Sequence, residues 1–482
     1  MPGAGDGGAA ASGLVAAKLP DFSVGSLERA CQATGQPVFQ SDPDLSEVLD
    51  NVVDNNSATM KDGRLGFAIV DLTDDPARGF GLNRPAYAGV NDTLYGTVAS
   101  LAKLLPLYGA YQLRYDLRKY IADCAGNPAS SISDIATLAN RVREGYRMLN
   151  AAESSQNIPL IENIFFGVGS GSPLDFWRGT ETAAQLDAIN ADDENLGPRP
   201  ARTRAKLRNT DNLITELDPL FGTPPAPQAL YFLEQLRLMA GWSDDISAAI
   251  VIEALGFPYL WQLANQSSLF RNYWNNIGAE NTDGYQGGLF LALDYWWTRW
   301  ASKPHWSVPP EEAPPHSGGD LDPLQGGTAR SVALLMTKLA QNCLIGNGAA
   351  DSLDAHNEIR EILRKNFIDI KPNGDPANPG EEERGEVSPI GAKFRKQAES
   401  QGWSISQTQW TAGGAPPTEL AVSKIGLIPG HASNAILVRA GRGGAVPITA
   451  VLVGINRRNS SFLPLFTFGQ EMAQLLAARH SG

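Results

Sequence analysis

Ser100 and Lys103 stand three residues apart inside an otherwise apolar stretch, Gly96-Thr-Val-Ala-Ser100-Leu-Ala-Lys103-Leu-Leu-Pro-Leu-Tyr-Gly-Ala-Tyr-Gln-Leu113. Positions i and i+3 of a helix share a face, so the spacing predicts a hydroxyl and an amine looking into the same space. A serine hydroxyl becomes a nucleophile when a neighbouring base takes its proton, and an amine whose charge is disfavoured by burial can be that base. Lys103 is the one lysine in the chain with a serine three residues before it. The plain alternative is a serine N-cap with a lysine reaching out to solvent. The stretch is apolar on nearly every side of a helical wheel, as in a helix surrounded by protein. Its N-terminus would add a positive field and free N–H groups able to hold a developing oxyanion.

Two further segments carry chemistry. Gly241-Trp-Ser243-Asp244-Asp245 opens an apolar run that closes at Gly256. Taken alone it is sound helix capping, with Ser243 at the cap and acids in the first turn. Lys424-Ile425-Gly426 sits in Ala421-Val-Ser-Lys-Ile-Gly-Leu427, which reads as a strand.

In this order, Ser-x-x-Lys, Ser-Asp-Asp and Lys-Ile-Gly resemble the penicillin-recognising serine enzymes, the class A β-lactamases and penicillin-binding D,D-peptidases. That family is marked by Ser-x-x-Lys, Ser-Asp-Asn and Lys-Thr/Ser-Gly. Ala248-Ala249, Leu255-Gly256 and Pro258 extend the second match, and Ala421 to Asn456 is similar to the family's last three strands. The resemblance covers 64–120, 235–262, 325–346 and 419–480, with insertions implied near 125–225, 285–325 and 350–415. It implies an acyl-enzyme mechanism with Ser100 as nucleophile and Lys103 as its base. Ser243 would relay a proton to the leaving group. Lys424 would supply positive potential for an anionic substrate group, and the N–H groups of Ser100 and Leu427, the latter just after Gly426, would form the oxyanion hole. The implied substrate is a small-molecule or peptide-like amide or ester, and no cofactor is required.

The departures are informative. Asp245 stands where the family has Asn, and a carboxylate cannot donate to a substrate carbonyl as an amide can. Ile425 replaces a hydroxyl residue that would meet a substrate carboxylate. No Glu-x-x-Leu-Asn segment occurs. Glu280 lies at a suitable distance past Ser243 for a deacylation base, but its surroundings, Ala-Glu-Asn-Thr-Asp-Gly, do not match. Efficient β-lactam hydrolysis is therefore not expected. A catalytically silent relative that uses the cleft for binding is the alternative.

Positioning these residues requires strands at both ends of the chain. Gly66 to Leu72 reads as a strand, followed by a turn (Thr73 to Gly79) and a second short strand at Phe80 to Leu82. Ala435 to Ala440 and Ile448 to Ile455 read as strands joined by the Gly-rich turn Gly441 to Gly444. Helices are expected at Ser131 to Ala152, Gln228 to Met239, Thr328 to Leu339, Asp351 to Phe367 and Phe466 to Arg479, with a loop at Lys371 to Glu386. The fold class expected is α+β: an antiparallel sheet from N- and C-terminal segments flanked by helices, with an enlarged all-helical subdomain. The expected divisions are a flexible tail (1–20), a sheet domain (21–120 with 326–482) and the helical subdomain with insertions (121–325).

The 482 residues are 43% hydrophobic, enough for a sizeable core. The formal net charge of −13 disfavours nucleic acid and anionic membrane surfaces as partners. No apolar run is long enough for a bilayer and no basic start precedes an apolar core, so a cytoplasmic location is expected. Cys31, Cys124 and Cys343 are far apart, and the histidines (His305, His316, His356, His431, His480) have no metal-ligand spacing, so no metal is expected.

Overall fold

Apolar runs from the two ends of the chain pair with one another. A computed structural model describes residues 39–55, 65–75, 78–81, 84–94, 96–125, 235–241, 243, 248, 251–252, 255, 260, 263, 290–291, 325–346, 352–367, 388–405, 420–428, 430–457 and 461–481. The N-terminal elements are β1 (Gln40–Ser41), α1 (Pro43–Asn55), β2 (Leu65–Asp71), β3 (Ala86–Val90) and β4 (Gly96–Thr97). A 3-10 turn (Ala99–Lys103) then leads into α2 (Leu104–Ala125). A π-helical turn (Arg237–Gly241), β5 (Phe290–Leu291), β6 (Gln325–Gly327), α3 (Ala329–Ala340) and α4 (Leu353–Phe367) follow. The C-terminal part holds α5 (Pro389–Ser400), β7 (Leu420–Ile428), β8 (His431–Ala440), β9 (Ile448–Asn456) and α6 (Leu463–Arg479).

The main sheet has the order β1-β3-β2-β9-β8-β7, and a small one has β4-β6-β5. In the main sheet β1 and β3 are parallel and the other pairs antiparallel. This mixed sheet with its helices is an α+β fold. The join between chain ends is β2 on β9, from Leu65 opposite Asn456 to Asp71 opposite Ala450. All seven residues of β2 are buried because the sheet is covered on both faces. On one face Phe67, Ile436, Val438 and Leu452 pack with Leu45 and Leu49 of α1, Ile390 and Phe394 of α5, and Phe468 and Met472 of α6. On the other, α3 lies on β2, β8 and β9, and α4 lies on β7.

Several elements differ from the expected bounds. The stretch at 96 is not one helix. Gly96 and Thr97 pair with Gly327 and Gly326, and the chain enters α2 through the 3-10 turn. Pro106 explains the tight entry, since it has no N–H to give the carbonyl four residues back. Phe80 and Gly81 make only isolated bridges, Phe80 to Asp75 and Gly81 to Arg84, residue 82 lies outside the described residues, and the second strand is β3. Helix α5 was not anticipated, although Ser388-Pro389 is a start signal: Gly391 N–H donates to Ser388 Oγ at 3.0 Å, with proline in the first turn. Thr328 caps α3 in a reciprocal capping box with Ser331. The expected tail 1–20, the helix 131–152, the loop 371–386 and most of the subdomain 121–325 lie outside the described residues. Among the described residues no helix is long and apolar enough to cross a membrane, and no group of His, Cys, Asp and Glu could hold a metal.

Polar ties lock α4 in place. Arg114 of α2 makes two hydrogen bonds to Glu358, at 2.9 and 3.0 Å. The Arg360 guanidinium caps the end of α3 at the carbonyls of Leu339 and Ala340. Ile345 N–H donates to His356 Nε2 at 3.0 Å, so the ring proton sits on Nδ1 and donates to Ser352 O at 2.9 Å. Burial pushes the His356 imidazole down to about 4. The folded state thus binds its proton more weakly than the unfolded chain, so this contribution is complete above pH 6.5 and is lost as pH falls toward 4. Urea denaturation should show about 3 kcal/mol lost over that window through this group. In His356→Gln, which keeps an acceptor and a donor, the same fall should be visibly shallower.

Candidate active site

Gly426 is the point where the sheet touches the turn that carries Ser100. It pairs with Ser433 across β7 and β8. A Cβ there would lie 2.4 Å from Ser433 Oγ and 2.8 Å from both Ser100 N and Val98 O. Only a glycine permits so close an approach. Ser433 Oγ, in turn, donates to Val98 O at 2.8 Å, and Leu101 N–H reaches the same carbonyl at 3.2 Å. Between them Ala99 takes φ +49°, a left-handed conformation uncommon for a residue with a side chain. Strain of this kind persists where its surroundings hold it, and functional sites are common among such places.

In the 3-10 turn, residues three apart eclipse, so Ser100 and Lys103 lie on one side of it. Both are buried, at 8% and 4% exposure. The Ser100 hydroxyl makes no hydrogen bond among the described residues. The Lys103 ammonium, expected to serve Ser100, donates to the main-chain carbonyl of Ser243 at 2.7 Å.

Lys424 lies two residues before Gly426, on the same face of β7. It is fully buried and donates to Ser243 Oγ at 2.7 Å and to Ile425 O at 2.8 Å. Ser243 thus receives both lysines, one on its carbonyl and one on its hydroxyl. It too has a left-handed backbone, φ +62°. Leu427, 46% exposed, continues β7 along the outer edge of the sheet. Ser100, Lys103, Ser243, Lys424 and Gly426 therefore converge, with Leu427 beside them. Asp245 and Glu280 lie outside the described residues. Ile425, whose side chain has no hydroxyl, is buried.

Beneath this cluster sits a polar group the sequence reading passed over. Asn434 of β8 is fully buried. Its amide donates to Ser423 Oγ at 2.9 Å and to Lys424 O at 3.1 Å, and its oxygen accepts from Ser388 Oγ at 2.9 Å and Ile390 N–H at 3.0 Å. It links the start of α5 to the backbone of the lysine that serves Ser243. The available signal was the adjacent pair Ser433-Asn434 within a strand otherwise rich in apolar residues.

No family model matches the chain, and no curated protein does. Among solved structures, the chain is similar to PBP-A, with 11% identity over 92% of this chain and 99% of that one, at a TM-score of 0.40. It is similar to a β-lactamase from Desulfarculus baarsii, with 13% identity over 89% and 96% and a TM-score of 0.38. It is similar also to an ancestral class A β-lactamase, with 13% identity over 90% and 99% and a TM-score of 0.35.

The contact at Gly426 is directly testable. Gly426→Ala drives a methyl against two backbone atoms and should destabilise the fold by about 1–3 kcal/mol in urea denaturation. Gly443→Ala, at a position with nothing within 4 Å, should fall well short of that.

Proposed function

We propose that this protein is a serine acyl-transfer enzyme related to the penicillin-recognising enzymes, with Ser100 as its nucleophile. The observation that carries the reading is the 2.7 Å hydrogen bond from Lys424 Nζ to Ser243 Oγ, made on the face of β7 that touches the Ser100 turn. It joins two motifs far apart in sequence on the strand face that the third, the Ser100 turn, also touches, and nothing in helix capping or strand formation alone requires it.

In this reading Ser100 Oγ attacks the carbonyl carbon of an amide or ester while Lys103 acts as the base that takes the hydroxyl proton. The N–H groups of Ser100 and Leu427 hold the oxyanion as negative charge develops on it. When the intermediate collapses, the bond to the leaving amine or alkoxide breaks and Ser243 hands it a proton, drawing a replacement from the lysines around it. Water or an amine then takes the acyl group from Ser100. Lys424 favours substrates that bear an anionic group near the scissile bond. Asp245 and Glu280 remain candidates, the first for substrate contact and the second for activating water.

One observation favours a second reading, a ligand-binding cleft without turnover: the Lys103 ammonium is engaged by the Ser243 carbonyl, leaving the Ser100 hydroxyl without a partner among the described residues. Intact-mass analysis after incubation with a fluorophosphonate and with a panel of penicillins separates the two. The enzyme reading expects one adduct on Ser100, none in Ser100→Ala, and labelling slowed at least about 100-fold in Lys103→Ala. Folded protein that takes up no adduct, yet is raised in melting temperature by a penicillin, establishes the second reading instead.

A further inference from the structure

We infer that Ser433 is a positioning residue that sets the orientation of Ser100 by holding the strained turn before it. The inference rests on the reading of Ser100 as nucleophile for its functional meaning, and on geometry for its physical content. A peptide unit is planar, so fixing the carbonyl oxygen of Val98 fixes the plane that also contains the Ala99 nitrogen. The φ angle of Ala99 is the rotation that follows that plane. Ser433 Oγ, 1% exposed, donates to Val98 O at 2.8 Å across 335 residues of chain. Gly426 O lies farther from the same hydroxyl, at 3.4 Å, so its single proton serves Val98.

The tether leaves Ala99 at φ +49°, and the next residue is Ser100. Without the Ser433 hydroxyl, the Val98 carbonyl keeps one described hydrogen bond, from Leu101 N–H at 3.2 Å. The turn is then free to relax toward the ordinary negative φ of an alanine. Relaxation swings the Ser100 amide away from Gly426, whose absent side chain leaves the room for that amide. Both the nucleophile and one oxyanion donor would move. Misplacing both is costly to a reaction that depends on alignment.

Two measurements test this. In fluorophosphonate labelling, Ser433→Ala should lower the saturating rate at least about 10-fold while changing the half-saturating concentration less than about 2-fold. Ser433→Cys, of similar volume and a weaker donor, should fall between the two and serves if the alanine variant does not fold. The second measurement needs no activity. Ala99→Gly should raise the melting temperature of the wild type by removing strain, and should give no such gain in the Ser433→Ala or Ser433→Cys background, where the turn has relaxed. Labelling of folded Ser433→Ala at the wild-type rate overturns the proposal, as does an equal gain from Ala99→Gly in both backgrounds. Should the wild type take no label, the proposed function fails and the melting comparison alone decides the role of Ser433.

Discussion

An ammonium with no exposed surface must direct its protons at oxygen, and that requirement organises this molecule. Lys424 is fully buried in an edge strand, where leaving a charge without partners is prohibitive. Its partners include its neighbour's carbonyl and the hydroxyl of Ser243, brought from a distant part of the chain. Ser243 stands there with its backbone in a left-handed conformation, and its own carbonyl receives Lys103. The needs of two buried amines, Lys424 and Lys103, thus meet on one serine and hold three segments in one cluster. The rest of the cluster follows from how closely the strand can come to the Ser100 turn.

The sheet divides its labour by face. Toward α1, α5 and α6 it is packed with aliphatic and aromatic side chains. Toward the Ser100 turn it offers Lys424, the gap at Gly426 and the Ser433 hydroxyl, each with a defined partner. Asn434 crosses this division. Pointing to the apolar side, it holds the backbone of Lys424 from behind and is itself held by the start of α5. Buried networks of this type are worth having only when every member is satisfied, and here both ends of the amide are.

The strands at the end of the chain were legible because their apolar runs are bounded by glycine-rich turns, and β7, β8 and β9 begin and end within a few residues of expectation. The Ser100 stretch was legible as buried but not in its form. Hydrophobic periodicity does not register that Gly96 and Thr97 have strand partners beyond residue 320, nor that Pro106 tightens the turn before it. Helix α5 was hidden because it follows a long polar run, although its cap was in plain view. For the cluster, spacing along the chain paired Ser100 with Lys103, and the order of motifs in the resemblance added Ser243 and Lys424. It did not reveal that Lys103 would face a main-chain carbonyl, which depends on a backbone angle at Ser243 that no residue type announces.

The pairing of β2 with β9 carries a consequence for how the molecule is made. Arg479 at the end of α6 reaches the carboxylate of Asp71 at the end of β2, a contact spanning 408 residues. During synthesis β2 is made long before β9, and its hydrogen-bonding edge stays open until the chain between them has been translated. Loop closure over such a distance is slow, and an unpaired apolar strand invites wrong partners meanwhile. Folding of this chain thus sets the arrival of β9 against aggregation of the waiting strand, and shielding β2 in the interval would contribute the most.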